Sequence, residues 1–189
     1  MSTPLDQLKS VDLSHLSKEE AKEFTILLEE LEKREKRESS MASFYDFVKA
    51  IWPEFIAGAH HKKMAEAFDK IASGESKRLI INMPPRHTKS EFASYLFPAY
   101  LLGKRPKLKI IEATHTADLA INFGRRVRDL LESEEYAEIF PATELKADSR
   151  SAGKWNTSQG GQYYAAGIGG ALAGRGADLF IIDDPHSEQ

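Results

Sequence analysis

Three short apolar runs, at Arg78–Met83, Leu108–Ala113 and Asp178–Asp183, are separated by stretches with helical spacing, and this alternation is the strongest constraint on the fold. Strands that alternate with helices are joined by crossovers, so the pattern predicts an α/β protein with βαβ units, a parallel sheet and helices on both faces. The intervening helices are expected from Lys89 to about Leu102 and from Ala117 to about Leu131. Earlier helices are expected over Phe44–Ile51 and His60–Ala72. The first is stopped by Trp52-Pro53, because the residue before proline avoids the α region, and the second by Ser73-Gly74. Residues 154–176, rich in Gly, Gln and Tyr, are expected to form a hairpin or mobile loops.

The first forty residues differ in character. They hold 7 basic and 10 acidic side chains, which accounts for the whole net charge of −3. Ser17 and Glu20 have capping-box spacing ahead of Phe24, Ile26, Leu27, Leu28 and Leu31, so a charged helical arm is expected over 1–40 and a folded domain over 41–189. With no cysteine among 189 residues, the chain has no disulfide framework, no thiol nucleophile and no Cys-ligated zinc. The longest uncharged window, Trp155 to Gly174, contains six glycines and several amides, too polar to span a bilayer. The N-terminus lacks the basic start and apolar stretch of a signal peptide. These features predict a soluble, intracellular protein without a membrane partner.

Chemistry concentrates at two places. Met83-Pro84-Pro85-Arg86-His87-Thr88-Lys89-Ser90 follows an apolar run and opens a helix, the context of a phosphate-binding loop. Backbone N–H groups at such a junction attract phosphate, a lysine reaches the terminal phosphates, and the next hydroxyl ligates magnesium. Lys89-Ser90 fits the end of G-x-x-x-x-G-K-[ST], while Met83 and Thr88 stand where its glycines belong. The second place is Ile181-Ile182-Asp183-Asp184, where an apolar run ends in two carboxylates. Magnesium favours one or two carboxylates together with substrate phosphates. Asp183 is therefore the expected metal ligand beside Ser90, and Asp184 the expected partner of the attacking water.

These two segments, extended through Glu91 and from Gly174 to His186, resemble the large terminase subunit of tailed bacteriophages. The likeness runs from about Trp52 to the C-terminus. It implies a P-loop NTPase-like ATPase domain that hydrolyses ATP with Mg²⁺ and drives double-stranded viral DNA into a procapsid. The implied partners are the portal ring, the small terminase subunit and further copies of the chain in a ring, and the implied location is the host cytoplasm. The family's loop often reads P-P-R-x-G-K-[ST], which Pro84, Pro85, Arg86, Lys89 and Ser90 match and Thr88 does not; His87 occupies its variable position. Its acidic pair often ends in Glu, so Asp184 is a shorter carboxylate and Glu188 a nearby substitute. Arg86 is expected to touch the γ-phosphate in cis, and Arg175, between Gly174 and Gly176, to reach a neighbouring subunit's nucleotide. Family members continue with a coupling motif and a nuclease domain, whereas this chain ends six residues after Asp183. The domain is therefore expected to be incomplete and without nuclease activity.

Alternatives remain open at this level. A helicase-like ATPase would share both segments, and a non-hydrolysing assembly module is compatible with Thr88. His60 and His61, adjacent at a helix start, read as a capped, solvated pair rather than a metal site, since neighbours do not share a helix face. Trp52, Phe55 and His61 are candidates to border an adenine, with core packing the stronger reading. Arg125, Arg126 and Arg128 read as a solvated helix face before a DNA contact.

Overall fold

The computed structural model describes residues 4–170, 172 and 174–186. Two helices, α1 (Pro4–Lys9) and α2 (Lys18–Ala42), form the N-terminal part. The start of α2 is a capping box: Glu20 N–H donates to Ser17 Oγ at 3.3 Å while Ser17 N–H donates to a Glu20 carboxylate oxygen at 2.8 Å. No helix among the described residues is long and apolar enough to cross a membrane.

Helices α3 (Phe44–Ile51) and α4 (Ala59–Ser73) follow, then a π-helix over Glu91–Leu96 that continues into α5 (Phe97–Lys104). Phe44 is the hub that joins them. Its fully buried ring lies 5.2–5.5 Å from Phe68 of α4, Phe92 of the π-helix, and Phe97 and Tyr100 of α5. Its N–H donates to Asp69 at 2.9 Å. Removing a buried ring of this kind typically costs about 3–5 kcal/mol, so this cluster anchors the segment that begins at Lys89.

The remaining elements are β1 (Lys109–Thr114), α6 (Ala117–Leu131), α7 (Glu134–Ile139), β2 (Leu145–Arg150), β3 (Lys154–Thr157), β4 (Gln162–Gly167) and β5 (Leu179–Asp183). The sheet order is β2-β3-β4-β1-β5. Among the described residues β1 pairs in parallel with β4 and with β5, while β2 with β3 and β3 with β4 are antiparallel.

The expected P-loop type parallel sheet with flanking helices is thus replaced by a mixed five-stranded sheet. Connection length explains the antiparallel half. Four residues, 158–161, join β3 to β4, with Gly160 at φ +94°, and a turn that short permits only a hairpin, whereas a parallel crossover needs a dozen residues or more. The run Arg78–Met83, expected as the first strand, forms no strand. An isolated run has no ladder to satisfy its backbone, and Ile80 stands 86% exposed.

Helical cover is also one-sided at β5. Ile110, Tyr163, Ala165 and Ile181 join the core shared with the helices, and Trp155 stacks on Tyr163 at 4.8 Å while its indole N–H donates to the Gly124 carbonyl of α6 at 2.9 Å. The alternate positions Phe180 and Ile182 point the other way and remain 52% and 54% exposed.

Candidate functional site

Parallel strands bring their carboxyl ends to one side of a sheet, and ligands of open α/β sheets collect there. Asp183 ends β5 at that side, level with Thr114 of β1. The loop ahead of the π-helix lies against it, and the two enclose a cavity of about 570 Å³ lined by residues from Met83 to Glu91 and by Asp184, Pro185 and His186.

Two tethers hold the loop and its helix in place. Arg126 of α6 donates both terminal nitrogens to the Glu91 carboxylate, at 2.9 and 2.5 Å, with its guanidinium 4.2 Å over the Tyr95 ring. Ser94, fully buried in the π-helix, donates to an Asp183 carboxylate oxygen at 3.0 Å. A π-helix is rare and frequently occurs at functional sites; here it directly follows the loop.

Backbone strain gathers at the same cavity. Among the described residues, the non-glycine positions with positive φ are Arg86 (62°), Thr88 (62°) and Asp184 (40°), and all three line it. Each left-handed residue costs on the order of 1–2 kcal/mol, most severely for β-branched Thr88, so neighbouring contacts must hold it. Thr88 has such a contact: its Oγ1 lies 2.7 Å from His61 Nε2. Turns with alternating left-handed residues aim successive N–H groups inward and favour anions.

Charge converges across the cavity. Lys89 Nζ lies 2.5 Å from Asp184 Oδ1 and 4.0 Å from Asp183 Oδ1. Asp183 is 5% exposed, Asp184 open to solvent. Behind Asp183 sits a second acid, Glu112 of β1, fully buried, accepting a hydrogen bond from the Tyr163 hydroxyl. Its other oxygen has no hydrogen-bond partner among the described residues, and burial pushes its carboxyl up to about 8.

Of the residues expected at the site, Pro84, Pro85, Arg86, His87, Thr88, Lys89, Ser90 and Asp184 line the cavity, and Asp183 borders it through Lys89. Arg175 is elsewhere, its guanidinium 3.9 Å over the ring of Tyr164 on β4. Glu188 lies outside the described residues. His61 is not part of a solvated pair: it is 6% exposed and packs against Phe55 and Phe92, at 4.7 and 5.4 Å between ring centroids. Arg126 is likewise no solvated charge, being committed to Glu91. Ser94, Glu112 and the His61–Thr88 contact escaped the reading of the sequence. The one available signal was Glu112, an acid inside an apolar strand.

The donor set suits magnesium. Asp183 and the Ser90 hydroxyl could hold that ion, which takes its remaining ligands from phosphate and water. No group of three or more His, Cys, Asp or Glu suited to a metal occurs among the described residues. Family models, curated proteins and solved structures yield no match to this chain.

Proposed function

We propose that the chain binds Mg-ATP between the Pro84–Ser90 loop and Asp183 and hydrolyses it, as the motor part of a terminase-like DNA-packaging protein. The observation that carries the proposal is the convergence at one cavity of three strained residues, Arg86, Thr88 and Asp184, with the Lys89 ammonium between two carboxylates. A loop held in an unfavourable backbone state beside a lysine and a helix start is suited to phosphate, and an acidic strand end opposite it suits the metal.

Residues Asp183 and Ser90 would hold magnesium, which when bound offsets charge on the terminal phosphates. Lys89 would exchange its carboxylate partner for phosphate oxygens. Ser94 fixes the orientation of Asp183, leaving its other oxygen toward the cavity. Exposed Asp184 would orient the attacking water once Lys89 has left it, and Arg86 would offset charge developing on the transferred phosphoryl group. Arg175 sits over Tyr164 and receives no role within the same subunit. The extension to DNA packaging rests on the likeness of the loop and acidic segments to the terminase family, with double-stranded DNA, the portal ring and the small subunit as the partners it implies.

Phosphate release from ATP by the purified chain, measured with Mg²⁺ and with EDTA and with and without double-stranded DNA, tests this. Magnesium-dependent release is expected. Nucleotide binding without release would leave the assembly-module reading, and an absence of both would end the proposal.

A further inference from the structure

The loop carries threonine at a position whose backbone is left-handed, φ +62°, a conformation that a β-branched residue adopts only when its surroundings hold it there. The surroundings here form a directional chain of hydrogen bonds. Gly58 N–H points at His61 Nδ1, 2.8 Å away. A backbone amide can only donate, so Nδ1 accepts and the ring proton is on Nε2. That nitrogen then donates to Thr88 Oγ1 at 2.7 Å, and the Thr88 hydroxyl donates onward to the His87 carbonyl at 2.6 Å. Every group in the relay has one role, and no proton is missing or doubled.

The rest of the molecule fixes the ring. Phe92, which stacks on His61 with ring planes 28° apart, belongs to the π-helix that follows the loop, and its N–H donates to the Thr88 carbonyl at 3.0 Å. Thr88 is therefore held through its side chain by α4 and through its carbonyl by the π-helix. Burial lowers the pKa of His61, consistent with the neutral ring that the relay needs.

We infer that His61 is a positioning residue for the phosphate-binding loop, latching Thr88 in the left-handed state that glycine would reach unaided. The inference builds on the nucleotide-binding reading above. In it, His61 touches no nucleotide and acts wholly through Thr88.

The test is a cycle of ATP affinities, measured by calorimetric titration with Mg-ATP, for the wild type, His61→Leu, Thr88→Gly and the double variant. With threonine present, His61→Leu should weaken binding about tenfold, the scale of one lost buried hydrogen bond. In the Thr88→Gly background the same change should alter affinity by less than about twofold, because glycine needs no latch. His61→Gln, whose amide offers both an acceptor and a donor, should recover part of the loss. Equal losses in both backgrounds would overturn the latch and leave His61 a general packing residue. Should the wild type bind no ATP, the functional reading falls, yet the latch is still decided by two measurements on the unliganded chain. Nitrogen NMR should show His61 protonated on Nε2 alone, and urea unfolding should show His61→Leu and Thr88→Gly to be coupled. The opposite tautomer, or strict additivity, would overturn it.

Discussion

Lys89 Nζ and Asp184 Oδ1 are 2.5 Å apart across the cavity, so the one lysine of the loop is already committed to a carboxylate. The pair joins the start of the π-helical segment to the end of β5, 95 residues apart in sequence. An anionic ligand entering here must compete for Lys89. In return it meets an ammonium fixed in position rather than a mobile side chain.

Replacement of Lys89 by alanine should therefore abolish ATP hydrolysis while the fold persists. The hydrophobic core contains no part of Lys89. Charge-assisted contacts to phosphate are worth roughly 1.5–3 kcal/mol each, sufficient to reduce turnover by at least about tenfold. Phosphate release and circular dichroism on the same Lys89→Ala sample check both halves. Undiminished hydrolysis would remove the loop from the mechanism.

The two aspartates should separate by role. Asp183→Asn keeps an acceptor for Ser94 but loses charge at a 5% exposed position, and should weaken magnesium-dependent ATP binding about tenfold or more. Asp184 has φ +40°, which asparagine tolerates, so Asp184→Asn probes charge without disturbing the backbone. That variant should bind within about threefold of wild type and be slowed in single-turnover hydrolysis. Calorimetry beside rapid-quench kinetics would expose equal binding losses, an outcome that contradicts the division.

Much of the site was legible because its residues are contiguous. Pro84 to Ser90 and Asp183-Asp184 each form one short segment, and the structure brings the two together at one cavity. The sheet was less legible for a physical reason. An apolar run by itself shows neither its partners nor its burial, so Arg78–Met83 read as a strand although it joins no ladder and Ile80 stays exposed. Conversely, β4 holds the place between β3 and β1 with the sequence Gln162-Tyr163-Tyr164-Ala165-Ala166-Gly167, too mixed to stand out by hydrophobicity. His61 was misread because adjacency on a helix says which face a residue takes, not what crosses over that face from elsewhere in the chain.

Packing of α6 on the sheet depends on the absence of a side chain at Gly124. A Cβ there would lie 2.7 Å from the Ala152 carbonyl oxygen and 3.0 Å from the Tyr163 ring. Alanine is favoured over glycine within a helix by about 1 kcal/mol, but overpacking against backbone typically costs about 1–3 kcal/mol. Gly124→Ala should therefore be destabilising, by a lowered urea midpoint, despite its better helix propensity. A raised midpoint would mean that helix and sheet can part without penalty.

Glu112 makes stability depend on pH with a definite sign. Burial first, and then the charge of nearby Asp183, push its carboxyl from an ordinary value near 4.5 up to about 8 in the folded protein, against the Tyr163 hydrogen bond, which favours the charge. Between those values the folded state retains a proton that the unfolded state has released. The contribution is therefore present in full below about pH 4.5 and is lost as pH rises through 8, with a slope of at most about 1.4 kcal/mol per pH unit. Glutamine has nearly the shape of the neutral acid, can accept from Tyr163, and does not titrate. Urea unfolding at pH 5, 6, 7 and 8 should accordingly show wild-type stability declining relative to Glu112→Gln, by roughly 1 kcal/mol per unit across the middle of that range. His61 and the other titrating groups are common to both proteins, so the difference between the two curves isolates Glu112. Parallel curves would mean that the carboxylate is ionised in the folded state, and that its charge is balanced behind Asp183 by something other than the Tyr163 hydroxyl.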